Sequence, residues 1–579
     1  MSFRQSNIVH PVNKTKKQEA EDEDSTIDDI IISKFLNVKD RINIEVADSQ
    51  AFSNSLIQQR QQVVNNTSYR RTIESWKPNS LQQLVQMIKS LSRGKPIIDQ
   101  HWIIFYWIAC NIEYDTVALF TKTFGNQTAE GVFQIKKGVC AGYANIYKYL
   151  CDQLQISCEL VGGYSKEYAF YKREDAPTET SHAWNAVEID GHWYLIDTTW
   201  GAGPFNDKKV FEHQLNSYYF LPRPNEMIYH HFPDDQKWQL LKRSIEKDEY
   251  MQMPKVHPSY FELNLELVHP CNQAHVDFLP DRPYALVLIR APSDVQLMAD
   301  LKLNGKEIEG ADRVIFDRQK QIYCCYFAPT NIGKYKITVY GKRGHSQDGV
   351  HRSALELIMN VKKIPVSHIS YPYTWPCFHD LGLKVIAPKH SANAVWNDDT
   401  SYAEVLMQAP GDVQLSCDIQ YNDVIIENGS LAQFNNEKKL WQLLFAPEHT
   451  GQCELIVYGK RTSGTESSSM PVVMFNLNVT ELRHPMKFPT TYTPFERTKC
   501  QIYTPLDGIL KKGSVIPVHC VIPNALDVRL DVDFKRIANE GYADSILQRR
   551  ITVGSKEIII YAKYEQESDY TRLAKYTVE

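Results

Sequence analysis

Apolar residues in the first half of the chain recur at helical spacing. Ser80 and Gln83 read as a capping box, and Leu81, Leu84, Val85, Ile88 and Leu91 then fall on one face. The run IDQHWIIFYWIACNIEYD, which starts at Ile98, is apolar on every side and suits a helix enclosed by its domain. After Cys140 the positions Tyr143, Ile146, Tyr147, Leu150, Cys151 and Leu154 keep an i, i+3, i+4, i+7 rhythm, which predicts an amphipathic helix beginning at that cysteine. From residue 158 to 200 the pattern turns strand-like. Residues from about 75 to 250 therefore read as one mixed domain, helices leading and a sheet following.

Farther along, short alternating stretches broken by Gly, Asn and Pro predict β-strands, among them YKITVYGKR and CELIVYGKR. They also repeat. APSDVQL begins at Ala291 and APGDVQL at Ala409, FAP at Phe327 and Phe445, VYGKR at Val339 and Val457, and each offset is 118 residues. Three motifs sharing one offset indicate duplication. IPNALDVRL (522–530) and IIIYAKY (558–564) suggest a weaker third copy with a shorter interval. Units of this length made of short strands fit immunoglobulin-like sandwiches, without the Cys…Trp…Cys signature of antibody domains. Cys324 and Cys325, adjacent on one such strand, point to opposite faces and read as packing residues.

Composition narrows the class. At 579 residues the chain exceeds what one hydrophobic core organises, so several domains are expected. A net charge of −5 with no dense basic cluster argues against a nucleic-acid partner. The first residues lack the apolar stretch of a secretory signal, and WIIFYWIAC (102–110) is too short for a membrane span. Twelve cysteines without a CxxC pair argue against a zinc site or a disulfide framework, and reduced thiols fit a cytoplasmic protein. Residues 1 to about 30 combine KTKK with EAEDEDSTIDD and read as a disordered acidic tail.

The chemistry concentrates at Cys140. At the start of a helix, unpaired N–H groups and the dipole favour a thiolate, and Gly138 and Gly142 leave the sulfur uncrowded. Cys151, three turns on and within the apolar stripe, reads as core. A thiolate nucleophile needs an imidazole and a group to orient it. The stretch SHAWNAVEIDGHWYLIDTTWGAG (181–203) supplies both. Asp190-Gly191 is a strong two-residue hairpin signal. With those two as the turn, Ile189 faces His192, Trp184 faces Asp197 and His182 faces Thr199. His182, Trp184, Asp197 and Thr199 then project from one side, and His182 and Asp197 become diagonal neighbours. His192 lands on the other side. Trp184 and Trp200 are expected to wall the cleft, and Trp102 and Trp107 to pack in the core.

GVCAGYA, HAWNAV and WYLIDTTWGAG resemble the three motif blocks of the transglutaminase-like superfamily. WIACNIEYD and the sandwich repeats bring the chain nearer to the kyphoscoliosis peptidase and hillarin branch. The resemblance covers roughly residues 75–579, is specific in the three blocks and looser in the repeats. It implies Cys140 as nucleophile, His182 as base and Asp197 as the residue orienting it. No LIM-type cluster precedes the domain, and no acidic loop resembles the calcium sites of animal cross-linking enzymes, so no cofactor or metal is expected.

The expected fold class is α+β multidomain: a papain/transglutaminase-like cysteine-enzyme core followed by immunoglobulin-like all-β sandwich repeats. The expected plan is an acidic tail and linker (1–70), the transglutaminase-like domain (71–252) and sandwich repeats at 253–363, 364–480 and 481–579. Two functions fit. One is a cytoplasmic acyl-transfer enzyme, peptidase-like, acting on protein substrates with cytoskeletal proteins as candidates. The other is a scaffold of little or no activity that binds cytoskeletal partners through the cleft and the sandwiches. Hydrolysis and cross-linking both remain open, as does the oligomeric state.

Overall fold

The computed structural model describes residues 32–36, 43–166, 180–206, 208–278, 282–317, 320–344, 349–364, 369–389, 391–396, 401–462, 468–537, 541–566 and 569–579. The acidic tail expected at 1–30 lies outside them. The chain divides into two compact units, one of Val38–His275 with Ser353–Leu357, the other built mainly on Val276–Arg352 and Ile358–Glu579.

The first unit packs helices against a sheet. Helix α1 (Leu81–Leu91) starts where the capping box predicts, with Ser80 Oγ accepting from Gln83 N. Gln83 answers through Oε1 to Asn79 N, one residue before the position the motif uses. Helix α2 (Ile97–Asn111) is the hub: Trp102, Ile103, Ile104, Phe105, Trp107 and Ile108 are all fully buried. That explains its all-round apolar sequence. Helix α3 (Cys140–Leu154) buries Tyr143, Ile146, Tyr147, Leu150 and Cys151 in the same core.

The stretch before residue 71, expected as tail and linker, is structured in part. Helices cover Asn54–Val64 and Thr67–Glu74, and Leu56, Val63, Val64, Tyr69 and Ile73 join the core. Ser53 and Asn66 cap the two helices through their side chains. The mainly polar run NSLIQQRQQVV carries too few apolar positions for periodicity to reveal it.

Strands β1 (Cys158–Ser165), β2 (His182–Ile189), β3 (His192–Ile196) and β4 (His231–Pro233) form an antiparallel sheet in the order β3-β2-β1-β4. Side chains alternate between its faces. Val187, Ile189, Tyr194 and Ile196 join the helical core, while Val161, Trp184, Ala186 and Leu195 pack with Tyr218, Tyr219 and Met227 in a second cluster. No helix among the described residues is long and apolar enough to cross a membrane.

The second unit is mainly antiparallel β-structure in which the duplication is visible strand by strand. Ala285–Arg290, Val295–Leu303, Asp312–Asp317, Ile322–Phe327 and Gly333–Arg343 recur 118 positions later as Ala403–Gln408, Val413–Tyr421, Ser430–Asn435, Leu440–Phe445 and Gly451–Arg461. In the later copy, a four-stranded sheet (Lys384–Ala387, Ala403–Gln408, Leu440–Phe445, Ser430–Asn435) faces a five-stranded one centred on Gly451–Arg461, around a core including Trp441, Phe445, Leu455 and Phe475. The repeated motifs have a structural reason. Asp294 and Asp412 of the DVQL motifs accept from Arg343 Nη1 and Arg461 Nη1 of the YGKR motifs, at 2.8 and 2.6 Å. The third copy keeps paired sheets, with Asp527–Val532 beside Glu557–Lys563, but Tyr564 stands in its motif where the other two carry arginine. Cys324 and Cys325 are both buried.

Candidate functional site

The hairpin that carries the site folds around Asp190 (φ +54°) and Gly191 (φ +83°), the left-handed pair a tight two-residue turn requires. Pairing runs from Ile189 with His192 to Asn185 with Ile196, in the expected register. There it stops. The expected pairs Trp184 with Asp197 and His182 with Thr199 do not form, because Asp197 N donates instead to Tyr219 O and the chain turns into helix α4 (Thr198–Ala202). Asp197 is the N-cap of that helix, its Oδ1 accepting from Thr199 N (2.8 Å) and Trp200 N (3.1 Å). Its backbone remains extended (φ −121°), so the strand parity carries one residue past the ladder. The carboxylate therefore meets His182, whose Nε2 donates to Oδ2 at 2.8 Å. His192 sits elsewhere, its Nδ1 2.6 Å from Asp48 Oδ2.

Cys140 opens α3 as its first residue and is half-buried. The preceding Val139 makes no side-chain cap, so the first-turn N–H groups and the positive end of a 15-residue helix face the cysteine. Gln127, which the sequence did not single out, clamps this turn: Oε1 accepts from Val139 N at 2.9 Å, and its backbone oxygen accepts from Asn145 Nδ2. The glycines serve this clamp as well as the sulfur, since a Cβ at Gly142 would lie 2.6 Å from Gln127 Oε1 and 2.7 Å from Val132 Cγ2. The Cys140 sulfur is close enough to His182 to favour its protonated form.

One residue of the cluster was not foreseen. His231 Nε2 also donates to Asp197 Oδ2, again at 2.8 Å, so the carboxylate accepts four hydrogen bonds, two on each oxygen. His231 reaches it from β4, where it pairs with Ser165 of β1. Nothing in the spacing of YHHFP relates it to His182 or Asp197; only the order of the strands does. Trp184 and Trp200 pack over both imidazoles, with ring centroids 5.9 and 5.7 Å from His182 and 5.0 and 4.6 Å from His231. Gly163 admits Trp184, because a Cβ there would come within 2.7 Å of the indole and 2.2 Å of Phe232 O.

Burial and charge compete here. Burial pulls the His182 imidazolium down, but the Asp197 carboxylate, with a further contribution from Cys140, outweighs it and holds the ring well above the ordinary histidine range. Burial likewise pushes Asp197 up, and His182 and His231 more than reverse that, leaving it ionised well below the usual carboxylate range. His231 goes the other way: burial, with the His182 charge beside it, lowers it to about 4 despite Asp197.

The facing atoms of His182, Asp197 and His231 lie within 4.8 Å of one another, the one group of metal-binding type among the described residues. Separations of 2.8 Å are hydrogen-bond lengths; a bound cation would need about 2.0–2.2 Å to each atom and both rings stripped of the protons they donate. Trp102 and Trp107 are core residues, as expected, with indole N–H groups that find no acceptor. Cys151 is buried, and burial holds its thiol well above the ordinary range.

Comparison with known proteins agrees with this architecture. The transglutaminase-like superfamily model matches residues 86–198, and the KY-like immunoglobulin-like domain model matches 247–369 and 365–490. Mouse kyphoscoliosis peptidase is 25% identical over 421 residues, 70% of this chain and 61% of its own length. Hillarin of Drosophila melanogaster is 27% identical over 234 residues, 38% of this chain and 28% of its own length. Cytokinesis protein 3 of Schizosaccharomyces pombe is 28% identical over 189 residues, 31% of this chain and 21% of its own length. The chain thus spans less than two thirds of each of these relatives. It carries a transglutaminase-like domain followed by KY-like immunoglobulin-like domains, and in this it resembles kyphoscoliosis peptidase and hillarin.

Proposed function

We propose that the first unit is a Cys-His-Asp acyl-transfer site, with Cys140 as nucleophile, His182 as its base and Asp197 as the residue that orients and charges His182. The observation that supports this is the 2.8 Å hydrogen bond from His182 to the buried Asp197 carboxylate, together with the place of Cys140 as the first residue of α3. The Cys140 sulfur attacks an amide carbonyl, forming an S–C bond. The tetrahedral oxyanion is held in part by the Cys140 backbone N–H. It collapses as the C–N bond breaks, and His182 delivers its proton to the departing amine. Water then attacks the thioester, gives a proton to His182 and releases a carboxylic acid and the free thiol. An amine in place of water would give a cross-link. We favour hydrolysis of protein substrates in the cytoplasm, in line with a relative named a peptidase, and cytoskeletal substrates, in line with a relative named cytokinesis protein 3.

Iodoacetamide at pH 6 tests the reading. Cys140 is expected to be alkylated at least ~10-fold faster than the buried Cys151, Cys325, Cys417 and Cys520, whose thiols burial holds above the ordinary range. His182→Ala should remove that lead. A second reading, a scaffold, is favoured by the enclosure of the site, with His182 3% exposed and Asp197 fully buried. Unchanged alkylation of Cys140 in His182→Ala would support the scaffold. Comparing acyl adducts captured by wild type and by Cys140→Ala would identify the substrate.

A further inference from the structure

Asp197 Oδ2 is shared by two imidazoles at the same 2.8 Å, and the rings, 5.0 Å apart between centroids, are too close for both to be charged at little cost. The surroundings decide which one is. A protonated imidazole has two N–H groups and needs two acceptors. His182 has the Asp197 carboxylate at Nε2, and the Cys140 thiol nearby adds to its hold on a proton. His231 has one acceptor. Its Nδ1 is buried and finds no hydrogen-bond partner, so a proton placed there would lie in a dry wall of Trp184, Trp200, Tyr219 and His230. Of the titratable groups facing His231, burial keeps Tyr219 protonated and His230 neutral, so Asp197 and His182 carry the charge.

We propose that His231 is a positioning residue: a neutral imidazole whose Nε2–H occupies Asp197 Oδ2 alongside His182 and so limits how tightly that carboxylate holds the His182 proton. A hydrogen bond donated to a carboxylate oxygen draws off charge that would otherwise stabilise the neighbouring imidazolium. Without the second donor, Asp197 would hold the His182 proton to higher pH, and a base that cannot release its proton is a poor acid toward the departing amine. His231 also fixes the carboxylate laterally, since Oδ1 is already tied to the first turn of α4. The inference rests on the reading of Cys140 and His182 as a nucleophile and its base.

The pH profile of Cys140 alkylation, taken from pH 4 to 10 on the full chain, tests it with two variants. His231→Phe keeps a ring and removes the donor; its upper limb, where His182 loses its proton, is expected to move up by about one pH unit. His231→Gln places an amide N–H where Nε2 was and is expected to return the limb to the wild-type position. Superimposed wild-type and Phe profiles would overturn the proposal, as would a Gln profile displaced as far as that of Phe. Nitrogen-15 histidine NMR of the wild-type chain is independent of alkylation. His231, assigned by its loss in the Gln variant, should be the neutral Nε2–H tautomer from pH 5 to 8, while His182 carries two protons at pH 6. A doubly protonated His231 at pH 7 overturns the inference even if Cys140 reacts as proposed. A Cys140 without a His182-dependent lead overturns the parent reading and leaves the NMR result to judge His231.

Discussion

The two units use their paired polar groups in opposite ways. In the sandwich repeats, what recurs after 118 positions is the strand, its alternating apolar face and one Asp–Arg pair at the rim, 2.8 Å in one copy and 2.6 Å in the other. The pairs are partly exposed and tie neighbouring strands. In the first unit, a carboxylate and two imidazoles are enclosed by tryptophans and satisfied by one another. Such a cluster is costly to bury and stable only when almost every donor has its acceptor. A repeat can be copied along a chain; a dry charged cluster requires convergence from three separate segments.

The sharpest way to break the contrast is Asp197→Ala. It leaves two imidazole N–H groups and two backbone N–H groups of α4 without their acceptor, and is expected to cost ~3–5 kcal/mol and to remove the Cys140 lead. Urea unfolding followed by tryptophan fluorescence, with alkylation rates alongside, measures both. Trp441→Ala, which empties the centre of a sandwich, should cost about 3 kcal/mol in the second unit and leave the alkylation rate of Cys140 where it was. A fall in that rate would mean the two units are energetically one.

Acid should bear on the first unit through its buried histidines. His231 and His101 are lowered by burial to about 4 and about 3 from an ordinary 6.5, so between pH 6.5 and 4 the unfolded chain binds protons that the folded chain refuses. Stability of the first unit should therefore fall as pH falls through that window, by roughly 1.4 kcal/mol per pH unit for each such histidine. His182, raised in the folded state, acts only above 6.5, where its contribution fades as pH climbs to its folded value. Asp197, lowered, loses its contribution only in stronger acid. Thermal unfolding followed by circular dichroism at pH 7, 6, 5 and 4.5 would show the slope. The smallest effect belongs to the repeats. Asp412→Ala removes an exposed ion pair and should shift the urea midpoint by no more than ~1 kcal/mol equivalent, vanishing in high salt.

Legibility followed the range of the interactions. The α2 and α3 helices, the start of α1 at Ser80 and the Asp190-Gly191 turn were readable because each depends on residues within a few positions. The meeting of His182 with Asp197 was also readable, because strand parity survives one residue beyond the last pair. Three features were hidden. The helix at Asn54–Val64 was masked by its polar composition; it sends Arg60 Nε to Phe220 O and Nη2 to Ser217 O, both at 2.6 Å, and so braces the segment against which Asp197 is held. Gln127 and His231 were hidden by distance along the chain, 13 residues before Cys140 and 34 after Asp197.

From its sequence alone this protein determined where its most periodic helices and strands begin, that one β unit was duplicated, and that a histidine and an aspartate would present themselves on one face. Periodicity and turn chemistry suffice for that, since they act between near neighbours. Only the tertiary structure decided that Asp197 would leave the ladder to cap α4, that the β3-β2-β1-β4 order would deliver a second imidazole to the same oxygen, and that tryptophans would enclose both. Those outcomes depend on which distant segments pair and what they exclude from water, and proton affinities follow from that exclusion.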